Sequence, residues 1–163
     1  MAIKGNGMDY DLSMNAGSSL QTSTAQYKVC GLSATSTSAD FTAYMTNNGA
    51  ALSNSNTARY AIGIVQSYPS TGSEVVTVRR RGISKAVCAE AVKAGDAVVA
   101  YEGASTTTFA GCISPLVFAD LAAAETLTTD FKIILGQALE SGSTNTVISI
   151  LLDPSFNCVV TNP

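Results

Sequence analysis

The sequence contains no histidine among its 163 residues. Histidine is a common general base, a common metal ligand and the side chain that titrates nearest neutral pH. Serine is abundant, but no Gly-x-Ser-x-Gly sequence is present and no histidine exists to activate a hydroxyl group. We therefore expect that the chain is not an enzyme, that it has no catalytic residues and that it binds no cofactor.

Charged residues are also scarce, at 13% of the chain, whereas about a quarter is usual for a soluble domain. A monomer that is free in solution normally carries more charge. Part of the surface is therefore expected to be covered by neighbouring molecules. The formal net charge of −3 lacks the basic character of a nucleic-acid-binding protein, so we expect no nucleic-acid partner.

The cysteines are four and widely spaced: Cys30, Cys88, Cys112 and Cys158. No Cys-x-x-Cys pair occurs, and a zinc site normally needs such pairs. We predict buried thiols that bind no metal. No apolar run is long enough to span a membrane, and the first 19 residues lack the apolar segment of a signal peptide. The expectation is a protein that is made and kept in a cytosol, or in something assembled there, with no membrane partner.

Short apolar runs separated by Gly, Ser, Thr and Asn dominate the sequence and predict strands. The predicted strands are residues 27–30, 41–45, 58–66, 75–78, 97–101, 109–117, 131–139 and 145–152. The Ala-rich residues 118–125 predict one short helix. Gly95 and Asp96 predict a tight turn before the run at 97–101. The predicted fold class is mainly β, a small antiparallel β-barrel or β-tulip-like domain.

Two segments of the sequence are alike. Residues 62–65, a polar turn and residues 75–78 correspond to residues 135–138, a polar turn and residues 147–150. The offset of about 72 to 73 residues suits two half-barrel units rather than a solenoid. The alternation places Val76 and Val78 on one face and Thr77 on the other. We predict two pseudo-repeated units, the alternative being a chance resemblance between two hairpins.

Residues 1–26 are poor in large apolar side chains and predict an extended N-terminal arm that precedes a β-rich core at 27–153 and a C-terminal tail at 154–163. Such a segment cannot bury enough surface to offset its ordering entropy. It is therefore either a disordered tail or an arm that becomes ordered on a partner. In the second case the apolar anchors are Tyr10, Leu12, Met14 and Leu20, and the polar contacts come from Asp9 and Asp11.

Arg79, Arg80 and Arg81 follow the central apolar run. Alternation along a strand directs Arg79 and Arg81 to one side and Arg80 to the other. Three interpretations remain open: a solvated strand end with local ion pairs, an interface in which Arg79 and Arg81 dock on carboxylates of another protein, and a nucleic-acid contact. Guanidinium groups match carboxylates in a bidentate geometry, which favours the interface over nucleic acid.

The motifs of this sequence occur in an order that resembles the order found in a known protein family. It runs from Gly63-Ile64-Val65 through Val76-Thr77-Val78 and Gly82 to the Ala94-Gly95-Asp96-Ala97-Val98 turn, Tyr101 and the closing Gly136-Gln137-Ala138. It is similar to the small β-rich capsid decoration, or cement, proteins of tailed bacteriophages, over about residues 27–153. This resemblance implies a virion protein on the outer capsid surface, the major capsid protein as partner, and self-association as a homotrimer.

The function implied by the resemblance is structural: stabilisation of contacts between major capsid protein subunits, with no catalytic residues to carry over. The alternative is another virion or surface-assembly subunit of a tail, fibre or pilus type. The candidate contact residues with capsid or neighbouring subunits are Asp9, Tyr10, Asp11, Leu12, Met14, Leu20, Arg79 and Arg81.

Overall fold

A computed structural model describes residues 10–16, 20, 23–32, 42–45, 61–67, 75–101, 109–116 and 134–155. These residues form nine strands: β1 (Tyr10–Ala16), β2 (Val29–Leu32), β3 (Thr42–Met45), β4 (Ala61–Val65), β5 (Val75–Val87), β6 (Ala97–Ala100), β7 (Ile113–Pro115), β8 (Ile134–Ala138) and β9 (Val147–Ser155). A three-residue 3-10 helix, Ser23–Ala25, precedes β2. The fold is mainly antiparallel β, as predicted.

The first unit consists of β1 to β4 and residues 75–81 of β5. β1 is antiparallel to β5, β5 to β4, β4 to β2 and β2 to β3. β3 then pairs with β1 in the parallel direction, so the order of pairings returns to its starting strand. A barrel-like closure of this kind removes exposed strand edges.

The second unit consists of residues 82–88 and β6 to β9. Its strand order is β5-β9-β8-β6-β7. A parallel bridge between Cys88 and Ile113 brings β7 back to the end of β5. β5 is therefore the last strand of the first unit and the first strand of the second. Gly82 lies between the two halves of β5 with a φ of 102°, a conformation that glycine adopts without the steric cost of a Cβ.

The two units have the same strand order and the same register. Gly63 of β4 lies opposite Cys30 of β2, and Gly136 of β8 lies opposite Val98 of β6. In each unit the register shifts by a bulge immediately afterwards, between Cys30 and Gly31 or between Val98 and Val99.

The hairpins that suggested the repeat are also hydrogen-bonded alike. The N–H of Gln66 donates to the carbonyl of Thr77 at 2.8 Å, and the N–H of Leu139 donates to the carbonyl of Ser149 at 2.9 Å. The turns before β2 and β6, which are equivalent strands of the two units, are also alike, since Tyr27 and Gly95 both have a positive φ. The predicted pseudo-repeat is confirmed in the described residues.

Burial follows the predicted alternation. Val76 and Val78 are buried in β5, as are Ile148 and Ile150 in β9, whereas Thr77 is only partly buried. The buried residues form two clusters. The larger one fills the second unit and extends to Val29, Ala61 and Ile64 of the first unit, and the smaller one fills the rest of the first unit. The two units are thus joined by shared core as well as by a shared strand.

The strand predicted at residues 27–30 is shifted along the chain in the structure. β2 begins at Val29 rather than at residue 27, because Tyr27 has a left-handed φ of 63° that a strand does not allow. The turn at Gly95 is present, but β5 and β6 do not pair with each other; β6 pairs with β7 and β8. The predicted helix at 118–125 lies outside the described residues.

Residues 10–16 of the predicted N-terminal arm form β1 of the barrel. β1 pairs with β5 from Tyr10 to Asn15, and Met14 and Ala16 are buried. Alternate small apolar side chains in a polar sequence are enough for a strand with one buried face. The domain boundaries at 1–26, 27–153 and 154–163 stay a prediction.

Candidate interaction surfaces

The apolar anchors predicted in the N-terminal segment lie in the protein's own core. Met14 is 4% exposed and Leu20 is 0% exposed, so both side chains pack inside this chain. Leu12 is partly buried against the same cluster. Tyr10 is partly buried and lies opposite Arg81 in the sheet. Asp9 lies outside the described residues.

Asp11 and Arg79 are brought together as a bidentate ion pair between β1 and β5. The Arg79 Nε donates to Asp11 Oδ1 at 2.8 Å and the Arg79 Nη2 donates to Asp11 Oδ2 at 3.0 Å. The third nitrogen, Nη1, donates to the carbonyl of Ile83 at 2.6 Å. The bidentate geometry predicted for a contact with another protein is therefore made within the chain, and it fixes β1 on β5.

Arg81 is more accessible than Arg79. Its Nε lies 3.4 Å from Oδ1 of Asp153, with side chains that are 68% and 61% exposed. Exposed pairs of this kind contribute little to stability, because water screens both charges. Of the arginines predicted to contact a partner, Arg81 is the one whose side chain extends into solvent.

Arg80 occupies a position that is apolar in the other unit. Its counterpart on β9 is Leu152, which is fully buried. The Arg80 Nε is buried without a hydrogen-bond partner. Leaving a buried donor unpaired costs about 1–3 kcal/mol, so an apolar side chain at this position is expected to raise the stability of the first unit.

The outer surface of the second unit carries large apolar side chains, which we call the apolar face. It consists of Ile83 (58% exposed), Leu139 (44%), Val147 (46%) and Leu151 (44%). Ile83 and Leu151 are directly opposite each other on β5 and β9, and Val147 lies opposite Val87. Sequence reasoning missed this face. The signal was the run at 147–152, in which only Ser149 is polar and every second residue must point outward from a barrel.

The centre of the apolar face is polar. Lys85 of β5 lies opposite Ser149 of β9. On the other side of β9, the Glu140 carboxylate accepts the N–H of Ser149 and its hydroxyl, both at 3.1 Å. The Lys85 Nζ lies 6.0 Å from the centre of the Tyr27 ring. A cation and an anion therefore stand on opposite sides of β9, both at the level of Ser149.

The thiols of Cys30, Cys88 and Cys112 are buried and form no disulfide, as predicted; Cys158 lies outside the described residues. Burial raises the pKa of Cys30 to about 12, and burial also raises the pKa of Cys88. A reactive cysteine needs the opposite shift, because the thiolate is the nucleophile. The Lys28 Nζ lies 2.7 Å from the Cys112 Sγ.

Within the described ranges, no group of three or more His, Cys, Asp or Glu side chains has a metal-binding arrangement. In the same part of the chain, no helix has the length and apolar character needed to cross a membrane.

No family model matches the chain, and no curated protein matches it. Among solved structures, the chain is similar to the N base of the head fiber protein gp8.5 of bacteriophage phi29. The identity is 12%, the TM-score is 0.46, and the match covers 90% of this chain and 95% of that chain. Similarity at this level does not establish a shared fold or a shared function.

Proposed function

We propose that the chain is a structural protein of a bacteriophage head, which decorates the outer capsid surface and stabilises contacts between major capsid protein subunits. The observation that carries the proposal is the apolar face, which exposes four large side chains on a chain with only 13% charged residues. A soluble protein rarely exposes neighbouring apolar side chains unless another molecule covers them. The order of strand and turn motifs, which resembles capsid decoration proteins, supplies the kind of partner.

The mechanism requires only binding. A double barrel with a shared strand and a continuous core keeps its shape under load, because deforming it breaks buried packing. Each copy that binds two capsid subunits adds contacts that must break before the shell opens. No catalytic step, cofactor, nucleic-acid contact or membrane contact is part of this role.

Self-association is the second part of the proposal. The apolar face and the low charge of the exterior favour contact between copies, and the resemblance implies a homotrimer. A closed oligomer binds a symmetric lattice through several equivalent contacts at once, which multiplies a weak individual affinity.

Heating of heads with and without the bound chain tests the stabilising role. Heads that carry the chain are expected to release DNA at a higher temperature than heads stripped of it. Release at the same temperature would contradict the role. Binding to isolated tails or fibres, and not to heads, would favour the alternative of a different virion subunit.

Arg81→Ala tests the more accessible of the two arginines predicted to contact a partner, with co-sedimentation of the chain and heads as the measurement. We expect weaker binding, because the exposed guanidinium is available to a capsid carboxylate. Lys93→Ala is the matched control, since Lys93 is also exposed and cationic but lies in the turn before β6. Equal binding of both variants would exclude Arg81 as a contact.

A further inference from the structure

We propose that the apolar face is where a second copy of this chain docks, related to the first by a twofold axis that runs along β9. The pairing shares with the proposed function only the idea that copies of the chain associate; it replaces the homotrimer implied by the resemblance with a twofold dimer and does not depend on binding to a phage head. It assigns the outward surface of β5, β9 and β8 to a face-to-face contact between two sheets.

The first reason is the contrast with the equivalent surface of the other unit. Asp11 and Arg79 lie opposite each other on β1 and β5, and Ile83 and Leu151 lie at the equivalent positions on β5 and β9. In the first unit these positions hold a bidentate ion pair that water can solvate. In the second unit the same positions expose two large apolar side chains, although the barrel geometry accepts a charged pair there. Exposure of apolar surface at a site that tolerates charge indicates that the surface is covered by another protein.

The second reason is that the charges on the face are complementary to themselves. Lys85 lies on the β5 side of β9 and Glu140 on the β8 side, both level with Ser149. Rotation about a twofold axis parallel to β9 exchanges the β5 side and the β8 side of the face. It leaves the position of each residue along β9 unchanged. It therefore places Lys85 of each copy over Glu140 of the other, twice per dimer.

The same axis sets the apolar contacts. Leu151 and Val147 lie on β9 itself, so each one packs on the same residue of the second copy. Ile83 flanks Leu151 on the β5 side, and the axis brings it over Gln137 of the second copy, which flanks Leu151 on the β8 side. The result is an isologous interface, in which apolar side chains lie above and below a central pair of ion pairs.

The test uses the full chain in solution, with its mass measured by sedimentation equilibrium over a series of concentrations. The mass is expected to rise from the 16.7 kDa of the chain towards twice that value. The double variant Ile83→Asp/Leu151→Arg installs the ion pair of the first unit at the equivalent positions. It is expected to weaken the dimer by about tenfold or more, which is the effect of losing about 1.4 kcal/mol of contact, with the circular dichroism spectrum unchanged.

Val75→Ser is the matched control, because Val75 is 55% exposed but belongs to the first unit. It should leave the dimer unchanged. A chain that stays monomeric at every concentration, one that reaches three times its monomer mass, or a Val75→Ser variant as weak as the double variant would overturn the proposal.

If the double variant does not fold, exchange of the charges at Lys85 and Glu140 tests the twofold dimer instead. Lys85→Glu and Glu140→Lys should each be monomeric, since each brings like charges together twice. An equal mixture of the two should form a heterodimer, because both contacts then join opposite charges. A mixture that stays monomeric would exclude the twofold arrangement, whatever the chain does on a phage head.

Discussion

The two units of this protein share a backbone plan but differ in what their equivalent positions hold. Outward positions that form the Asp11–Arg79 ion pair in the first unit hold Ile83 and Leu151 in the second. An inward position that holds Arg80 in the first unit holds Leu152 in the second. At these equivalent positions the first unit holds charged side chains and the second holds apolar ones.

This contrast separates what the fold requires from what the function requires. Positions that are alike in both units, such as Gly63 and Gly136, are set by backbone geometry. Equivalent positions that hold different residues, such as those of Asp11 and Ile83, accept a charged or an apolar side chain on the same backbone geometry. The side chains at such positions are therefore available for the recognition of other molecules. The differences therefore point to the surfaces that contact other molecules.

The largest loss of stability is expected from substitution of the two equivalent glycines, Gly63 and Gly136. A Cβ on Gly136 would overlap the backbone carbonyl oxygen of Leu151, and a Cβ on Gly63 would overlap that of Arg79. Because neither carbonyl can move without breaking a strand pairing, Gly136→Ala and Gly63→Ala should each lower the free energy of unfolding by about 3 kcal/mol or more. Urea denaturation measures both.

Gly95→Ala is the control for the glycine variants. Gly95 has a φ of 94° and no atom within 4 Å of an added Cβ, so backbone strain of about 1–2 kcal/mol is the whole expected cost. If all three variants lose the same stability, close packing at β4 and β8 is not what the repeat preserves.

The second effect distinguishes the units by their response to alkali. Cys30 in the first unit corresponds to Val98 in the second, and burial raises the pKa of Cys30 from the usual 9.0 to about 12. The unfolded chain therefore loses this proton at lower pH than the folded chain does. Stability from the buried thiol is full below pH 9.0 and falls as the pH rises towards 12, by at most about 1.4 kcal/mol per pH unit.

Cys30→Val gives the first unit the residue that the second unit has at the equivalent position. In this variant the free energy of unfolding should decrease less as the pH rises. Urea denaturation between neutral and alkaline pH measures it, with Cys88→Ala as a comparison, because the pKa of Cys88 is raised too. If the free energy of unfolding of Cys30→Val depends on pH as in the unchanged chain, other groups cause the loss of stability in alkali.

The third effect is a gain. Arg80→Leu gives the first unit the residue that its counterpart, Leu152, provides in the second. Removal of the unpaired Nε should raise the free energy of unfolding by about 1–3 kcal/mol, measured by thermal or urea denaturation. Lower stability in the variant would show that the guanidinium is satisfied in solution by water. If the variant is more stable but binds heads less well, Arg80 is retained for recognition.

The sequence predicts the fold well where a local pattern decides the structure. The alternation at 75–78, the hairpin similarity and the turn at Gly95 each depend on neighbouring residues, and each is confirmed. The barrel closure was not predictable in the same way. It depends on β1 pairing with β5, about 65 residues later, and a segment that is poor in apolar residues gives no local sign of a distant partner.

The candidate site shows the same limit. The sequence drew attention to Asp11 and Arg79 separately, because both are polar groups suited to an interface. Only the antiparallel register of β1 and β5 shows that they satisfy each other. Conversely, Ile83 and Leu151 resemble core residues in sequence, and only their outward position on the barrel identifies them as surface.

The smallest effect concerns the two ion pairs, and double-mutant cycles measure it. Asp11→Ala and Arg79→Ala should show a coupling of about 1 kcal/mol, at the upper end for surface pairs, because the contact is bidentate. Arg81→Ala and Asp153→Ala should show coupling near zero, since that pair is wider and more exposed. If the two couplings are equal, the Asp11–Arg79 contact does not hold β1 on the barrel. The burial of Met14 and the backbone pairing with β5 would then fix that strand.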